Sequence, residues 1–121
     1  MDTCLFCKIL KGEIPSHKIY EDKNIYAFLD INPLSNGHSL VIPKKHYLDF
    51  TDISLEELNN LNNASKKIYN ILSDKLKPTG IRLVQNNGNL QEVKHYHLHI
   101  IPYFDNEDTV DVKDIFKRIT N

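Results

Sequence analysis

His95-Tyr96-His97-Leu98-His99-Ile100-Ile101 sets histidines at every second position against Tyr96, Leu98 and Ile100. Strand side chains alternate between two faces, so this run, inside Val93 to Pro102, reads as a β-strand with imidazoles on one face and core residues on the other. At about 3.3 Å of rise per residue, neighbouring imidazoles stand roughly 6.5–7 Å apart and the outer two roughly 13 Å apart. One metal ion can take two adjacent histidines, but hardly all three without bending the strand, so at least one has another task. Three readings stay open here: ordinary imidazoles on an exposed strand, a two-histidine metal centre, and a nucleophile. In the last, a neutral imidazole held by a hydrogen bond at one nitrogen attacks with the other.

Working outward, the polar loop Asn86-Asn87-Gly88-Asn89 precedes this strand, and Ile81 to Gln85 reads as another strand before it. The amides of Gln85 to Gly88 could cradle a phosphate or form a simple turn. Upstream, Ser54 and Glu57 make a capping box, and Leu55, Leu58, Leu61, Ser65, Ile68, Leu72 and Leu76 follow at helical steps until Pro78. Three more strands are expected, at Lys18 to Glu21, Ile25 to Leu29 and His38 to Ile42, with a turn at Asp22-Lys23-Asn24 and a loop from Asp30 to Gly37. Short helices are expected at each end, Cys4 to Lys11 capped by Asp2 or Thr3, and Val112 to Ile119 capped by Asp111. The sum is a single α+β domain over residues 1–121: an antiparallel sheet with one long helix and short terminal helices. Helices on one side would leave the histidine face open to a ligand.

A formal charge of −1 over 121 residues gives no general attraction to nucleic acid or acidic membranes, so any phosphate binding is local. No apolar run approaches the roughly 20 residues of a membrane span, and the first residues lack a signal peptide's pattern; the expectation is a cytoplasmic protein. Cys4 and Cys7 are too close to staple a large loop. A redox Cys-x-x-Cys wants a preceding strand, for which position 4 leaves no room. Metal ligation or inert thiols remain; tetrahedral zinc would draw two more ligands from His17, His38, His46 and the triplet.

These residues resemble the histidine-triad (HIT) family, whose signature is the alternating histidines followed by two apolar residues. Three further segments are similar to its Hint-like bacterial branch: Cys4-Leu5-Phe6-Cys7-Lys8-Ile9 through Gly12-Glu13-Ile14-Pro15, Phe28-Leu29-Asp30-Ile31, and Gly37-His38-Ser39-Leu40-Val41-Ile42-Pro43-Lys44-Lys45-His46. The resemblance implies a homodimer whose sheets join, and hydrolysis at the α-phosphate of purine nucleoside 5′-phosphoramidates. It implies His97 as nucleophile, forming a covalent nucleotidyl-histidine, with His99 and His38 contacting phosphate or orienting it. Asn86 and Gln91 would stabilise phosphate charge, Asp30 would hold the ribose, and Phe6, Ile9, Ile14, Ile31 and Leu40 would line the base slot. Structural zinc would sit on Cys4, Cys7, His46 and His95. Departures from the family pattern are a shorter loop with Leu90 before Gln91, Glu92 near the leaving group, and Tyr103 after Ile100-Ile101-Pro102. The alternatives to phosphoramidate hydrolysis are a dinucleoside polyphosphate hydrolase or nucleotidyltransferase using the same histidine, and a nucleotide-binding regulatory protein with little catalysis.

Overall fold

The computed structural model describes residues 3–121. Five strands, β1 (Lys18–Glu21), β2 (Ile25–Leu29), β3 (Ser39–Pro43), β4 (Gly80–Gln85) and β5 (Leu98–Tyr103), form one antiparallel sheet in the order β1-β2-β3-β5-β4. The β1–β2 hairpin turns on Asp22, whose Oδ1 accepts from the amides of Asn24 and Ile25, each at 2.8 Å. Helix α2 (Leu55–Leu76) starts where Ser54 Oγ accepts from the Glu57 amide at 3.1 Å. It ends at Lys77, held in the left-handed region at φ 54° ahead of Pro78, which lacks the amide hydrogen needed to continue the helix. Its buried stripe, Leu61, Ala64, Ser65, Ile68, Leu72 and Leu76, packs on β2 and β3, while Leu55, expected in that stripe, points into solvent in the first turn. Helix α3 (Val112–Thr120), capped by the Asp111 carboxylate, adds Ile115 and Ile119 to the same layer.

Two expectations need correction. The helices do not all lie on one side. Strands β2 and β3 are buried almost throughout, so both faces need cover: Ile25, Ala27, Leu29 and Val41 face α2 and α3, and Phe28, Leu40 and Ile42 face Phe6 and Ile9 of α1 (Leu5–Leu10). Helix α1 therefore covers part of the opposite face. It is capped by Cys4, whose Sγ accepts from the Cys7 amide, rather than by Thr3; Asp2 lies outside the described residues. Second, the histidine run is a strand only from Leu98 onward. Ladder pairing with Val41 and Gln85 begins at Leu98, and the Tyr96 amide donates instead to Tyr47 O at 2.7 Å, drawing His95 and Tyr96 away from the sheet.

Gly37 fixes the approach to His38. Its φ is +88°, and a Cβ there would lie 2.5 Å from Leu76 Cδ1 and 3.3 Å from Pro102 Cγ. Left-handed strain and overpacking act together, so Gly37→Ala is expected to cost about 2–4 kcal/mol, which lowers Tm by roughly 10 °C. Thermal unfolding checks this; an unchanged Tm would contradict the close packing of the 30–38 loop on α2.

Candidate active site and metal centre

Three histidines meet on the sheet face that α2 does not cover. Register sets Leu40 of β3 opposite His99 of β5, and His38, at the mouth of β3, reaches the same region. His38 Nδ1 accepts the Leu34 amide at 3.1 Å, so the proton of the neutral ring is on Nε2. That Nε2–H donates to His99 Nδ1 at 2.9 Å, which leaves the His99 proton on its own Nε2. Beside it, His97 Nδ1 lies 2.7 Å from the carbonyl oxygen of His95. A carbonyl only accepts, so Nδ1 carries the hydrogen and Nε2 keeps its lone pair. The His97 and His99 rings stand 4.9 Å apart, one with a free lone pair and the other with a free N–H. A lone pair beside an N–H can attack an electrophile and donate to its negative oxygen.

Burial is the main reason that His38, His97 and His99 all titrate below the ordinary 6.5; His99 is lowered further by His38, while Asp30, 3.7 Å from His38 Nε2, opposes the shift. Neutral rings are what the hydrogen-bond directions need. A folded pKa below the unfolded one means that the unfolded chain binds protons first on acidification. For His38 and His99 the stabilisation is therefore fully present above pH 6.5 and lost as pH falls through the lowered folded values. Urea unfolding between about pH 5 and pH 8 is expected to show a plateau on the neutral side and decline on the acid side. Stability that rises on acidification would contradict the neutral network.

The histidines open into a cleft of about 580 Å³. Phe6, Ile9, Ile14, Ile31 and Leu40 all line it, as do Asp30, His38, Asn86, His97 and His99. Asp30 is held by the Asn32 amide, which donates to its Oδ1 at 2.9 Å. Gln91 is not among the lining residues: its side chain is buried, with Nε2 donating to Leu48 O at 2.7 Å and Oε1 lacking a partner among the described residues. Glu92 does line the cleft, whereas Leu90 and Tyr103 are exposed. Arg82 and Val84 line it too and were missed in the sequence. Only the pairing register reveals them, since it sets Val84 opposite His99 and Arg82 opposite Ile101.

A second cluster lies behind His97. The ligand atoms of Cys4, Cys7, His46 and His95 all lie within 4.8 Å of one another. Cys4 Sγ is 3.4 Å from His95 Nδ1, and Cys7 Sγ is 3.3 Å from His46 Nδ1 and 3.6 Å from His95 Nδ1. A tetrahedral zinc ion with ordinary Zn–S and Zn–N bonds has S···N edges of roughly 3.5 Å. The donor set fits such an ion. His95 Nε2–H donates to Pro43 O at 2.9 Å, so its Nδ1 lone pair faces the thiols, an outer-shell contact typical of zinc histidines. Without a cation, burial pushes the Cys7 thiol up to about 11 and His95 down to about 4. A divalent ion would supply the charge that buried thiolates need. Asp30, His38 and His99 are also close together, but the Leu34 amide on His38 Nδ1 keeps Nε2 protonated and unsuited to ligation. His17 packs at a tilt against Phe116 and belongs to neither cluster.

An antiparallel α+β sheet whose alternating histidines meet a further histidine from a neighbouring strand defines a histidine-triad domain. The chain belongs to the HIT family, matching the HIT domain over residues 11–106. It is 43% identical to an uncharacterised HIT-like protein of Methanocaldococcus jannaschii, over 96% of this chain and 98% of that one. It is 45% identical to adenosine 5′-monophosphoramidase of Saccharomyces cerevisiae, over 83% of this chain and 62% of the yeast protein. A zinc-bound histidine triad family protein from Mycobacterium smegmatis superposes with a TM-score of 0.89 at 32% identity, covering 98% of this chain and 91% of that one.

Proposed function

We propose that the protein binds purine nucleotides and hydrolyses nucleoside 5′-phosphoramidates at the α-phosphate through a covalent nucleotidyl-histidine. The observation that carries this reading is the His97 hydrogen bond to His95 O, which turns the unprotonated Nε2 toward the cleft beside the His99 N–H. His97 Nε2 attacks phosphorus and the P–N bond breaks, the leaving nitrogen taking a proton from solvent to depart as the amine. Water then attacks the nucleotidyl-His97, giving its proton back to solvent as the bond to Nε2 breaks, and the free nucleotide leaves. His99, its tautomer set by His38, donates its Nε2–H to a phosphoryl oxygen, and Asn86 supplies a further donor. Asp30 accepts from the ribose hydroxyls, and the base rests on Phe6, Ile9, Ile14, Ile31 and Leu40. Gln91, expected on the phosphate, bonds Leu48 O instead and lies outside the cleft lining, so it takes no part in this scheme. The phosphoramidase named among the relatives supports the substrate class.

Zinc on Cys4, Cys7, His46 and His95 belongs to the same reading, as a four-ligand structural ion with no open position; the zinc-bound relative supports it. So does a homodimer, for which β4 offers a free sheet edge carrying exposed Leu83. A cytoplasmic location with neither membrane nor nucleic acid as partner belongs to the same proposal; no helix among the described residues is long and apolar enough to cross a membrane. Glu92 in the cleft disfavours an anionic polyphosphate leaving group relative to a neutral amine. AMP release from adenosine 5′-phosphoramidate is accordingly expected to exceed that from diadenosine polyphosphate by at least about tenfold in kcat/KM. The reverse order would replace this reading with a polyphosphate hydrolase, and binding without release from either would replace it with a nucleotide-binding regulator.

A further inference from the structure

We propose that the Cys4, Cys7, His46 and His95 centre positions the nucleophile: ligation there sets the tautomer and orientation of His97 as well as tying α1 to the sheet. The kinetic part of this inference rests on the hydrolase reading above, and the structural part does not.

Two links join the centre to His97. The first is the main chain of His95. Its imidazole is held at both nitrogens, by Pro43 O at 2.9 Å on Nε2 and by the thiols of Cys4 and Cys7 at 3.4 and 3.6 Å on Nδ1. Its carbonyl is the acceptor that keeps the hydrogen of His97 on Nδ1. This carbonyl lies before the first ladder pair of β5, so the sheet does not fix it. Its peptide plane is held instead by the Tyr96 amide, which donates to Tyr47 O at 2.7 Å beside the candidate ligand His46, and by the His95 side chain, so both anchors run through the ligand set.

The second link is Phe6. It stands between the two thiols in sequence, on a helix of six residues, too short to persist without packing or ligation. Its ring, 3% exposed, meets His97 edge-on at 5.0 Å and 87°, His95 at 5.8 Å and 72°, and Phe28 at 5.5 Å. Drawing Cys4 and Cys7 onto a common ion with His46 and His95 therefore presses the Phe6 edge against the nucleophilic ring. Loss of the ion loosens both contacts. Phe6 and Ile9 carry part of the base slot on α1, so nucleotide affinity weakens as well, while Asp30, Ile31 and Leu40, outside α1 and the ligand set, keep part of the nucleotide's contacts.

The test compares zinc-loaded and chelator-stripped protein without ligand, by ¹⁵N spectra of the imidazoles with circular dichroism as the control for folding. Loaded protein is expected to show His97 as a single Nδ1–H tautomer, and stripped protein an average of both. In parallel, kcat is expected to fall by at least about tenfold on stripping, by a larger factor than KM rises, with recovery on adding zinc. Phe6→Leu, loaded with zinc, supplies the second arm if the stripped chain unfolds. It is expected to keep its metal and lose kcat more than it raises KM, whereas a residue that only touches the base would change KM first. An unchanged His97 spectrum and kcat in stripped, folded protein would overturn the proposal. So would an unchanged spectrum and kcat in Phe6→Leu, or a wild type that takes up no zinc. If loaded wild type shows no turnover, the hydrolase reading fails while the imidazole spectra still decide the coupling.

Discussion

His97→Ala is expected to remove at least about three orders of magnitude from the turnover of adenosine 5′-phosphoramidate while leaving AMP affinity within roughly tenfold, about 1.4 kcal/mol. The asymmetry follows from what the ring touches. Its Nδ1–H is spent on the His95 carbonyl and its Nε2 lone pair is the free one. The apolar wall of the cleft, Asp30 and Asn86 belong to other segments. Under the proposed mechanism, removing the imidazole deletes the attacking atom and leaves the residues proposed for the nucleotide's other contacts in place. Rates of AMP release set beside equilibrium binding of AMP check this. A variant that keeps wild-type turnover would rule out His97 as the nucleophile, and one that loses affinity in step with rate would make it a binding residue.

The second large effect concerns the metal. One zinc per chain is expected by elemental analysis, and Cys4→Ser is expected to lose it together with at least roughly 10 °C of Tm. Cys4 serves twice, as a candidate ligand 3.4 Å from His95 Nδ1 and as the cap that accepts the Cys7 amide. Serine can cap a helix but is a poor fourth ligand beside a thiolate and two imidazoles. The substitution therefore separates the two roles. A wild type free of metal after gentle purification, or a Cys4→Ser variant with unchanged metal content and Tm, would contradict the zinc assignment.

Where sequence and structure agree, a local rule had no competitor. The Ser54 and Glu57 pattern marks the start of α2, Pro78 marks its end, and the apolar run from Ile25 to Leu29 coincides with β2. Where they part, a long-range contact decided. His95-Tyr96-His97 has strand periodicity, yet Tyr96 bonds Tyr47 O and the ladder begins only at Leu98. Spacing alone leaves open which histidine serves a metal. The Cys4 and Cys7 thiols, brought 91 and 88 residues back along the chain, single out His95. Period-two reasoning also missed Arg82 in the cleft, because β4 carries no apolar and polar alternation to show which face is which. The directions of the hydrogen bonds at His38, His99 and His97 were illegible in the sequence, since each depends on a partner that folding supplies: Leu34 N, the neighbouring imidazole and His95 O. From these partners comes the assignment of one free lone pair and one free N–H.

The stereochemical course at phosphorus is the most direct measurement of the central claim. Hydrolysis of a nucleoside phosphoramidate made chiral at the α-phosphorus is predicted to proceed with retention, because attack by His97 Nε2 and then by water are two in-line displacements, each inverting the centre. Inversion would mean that water attacks the substrate directly, and that the exposed lone pair of His97 serves as a base and never bonds to phosphorus.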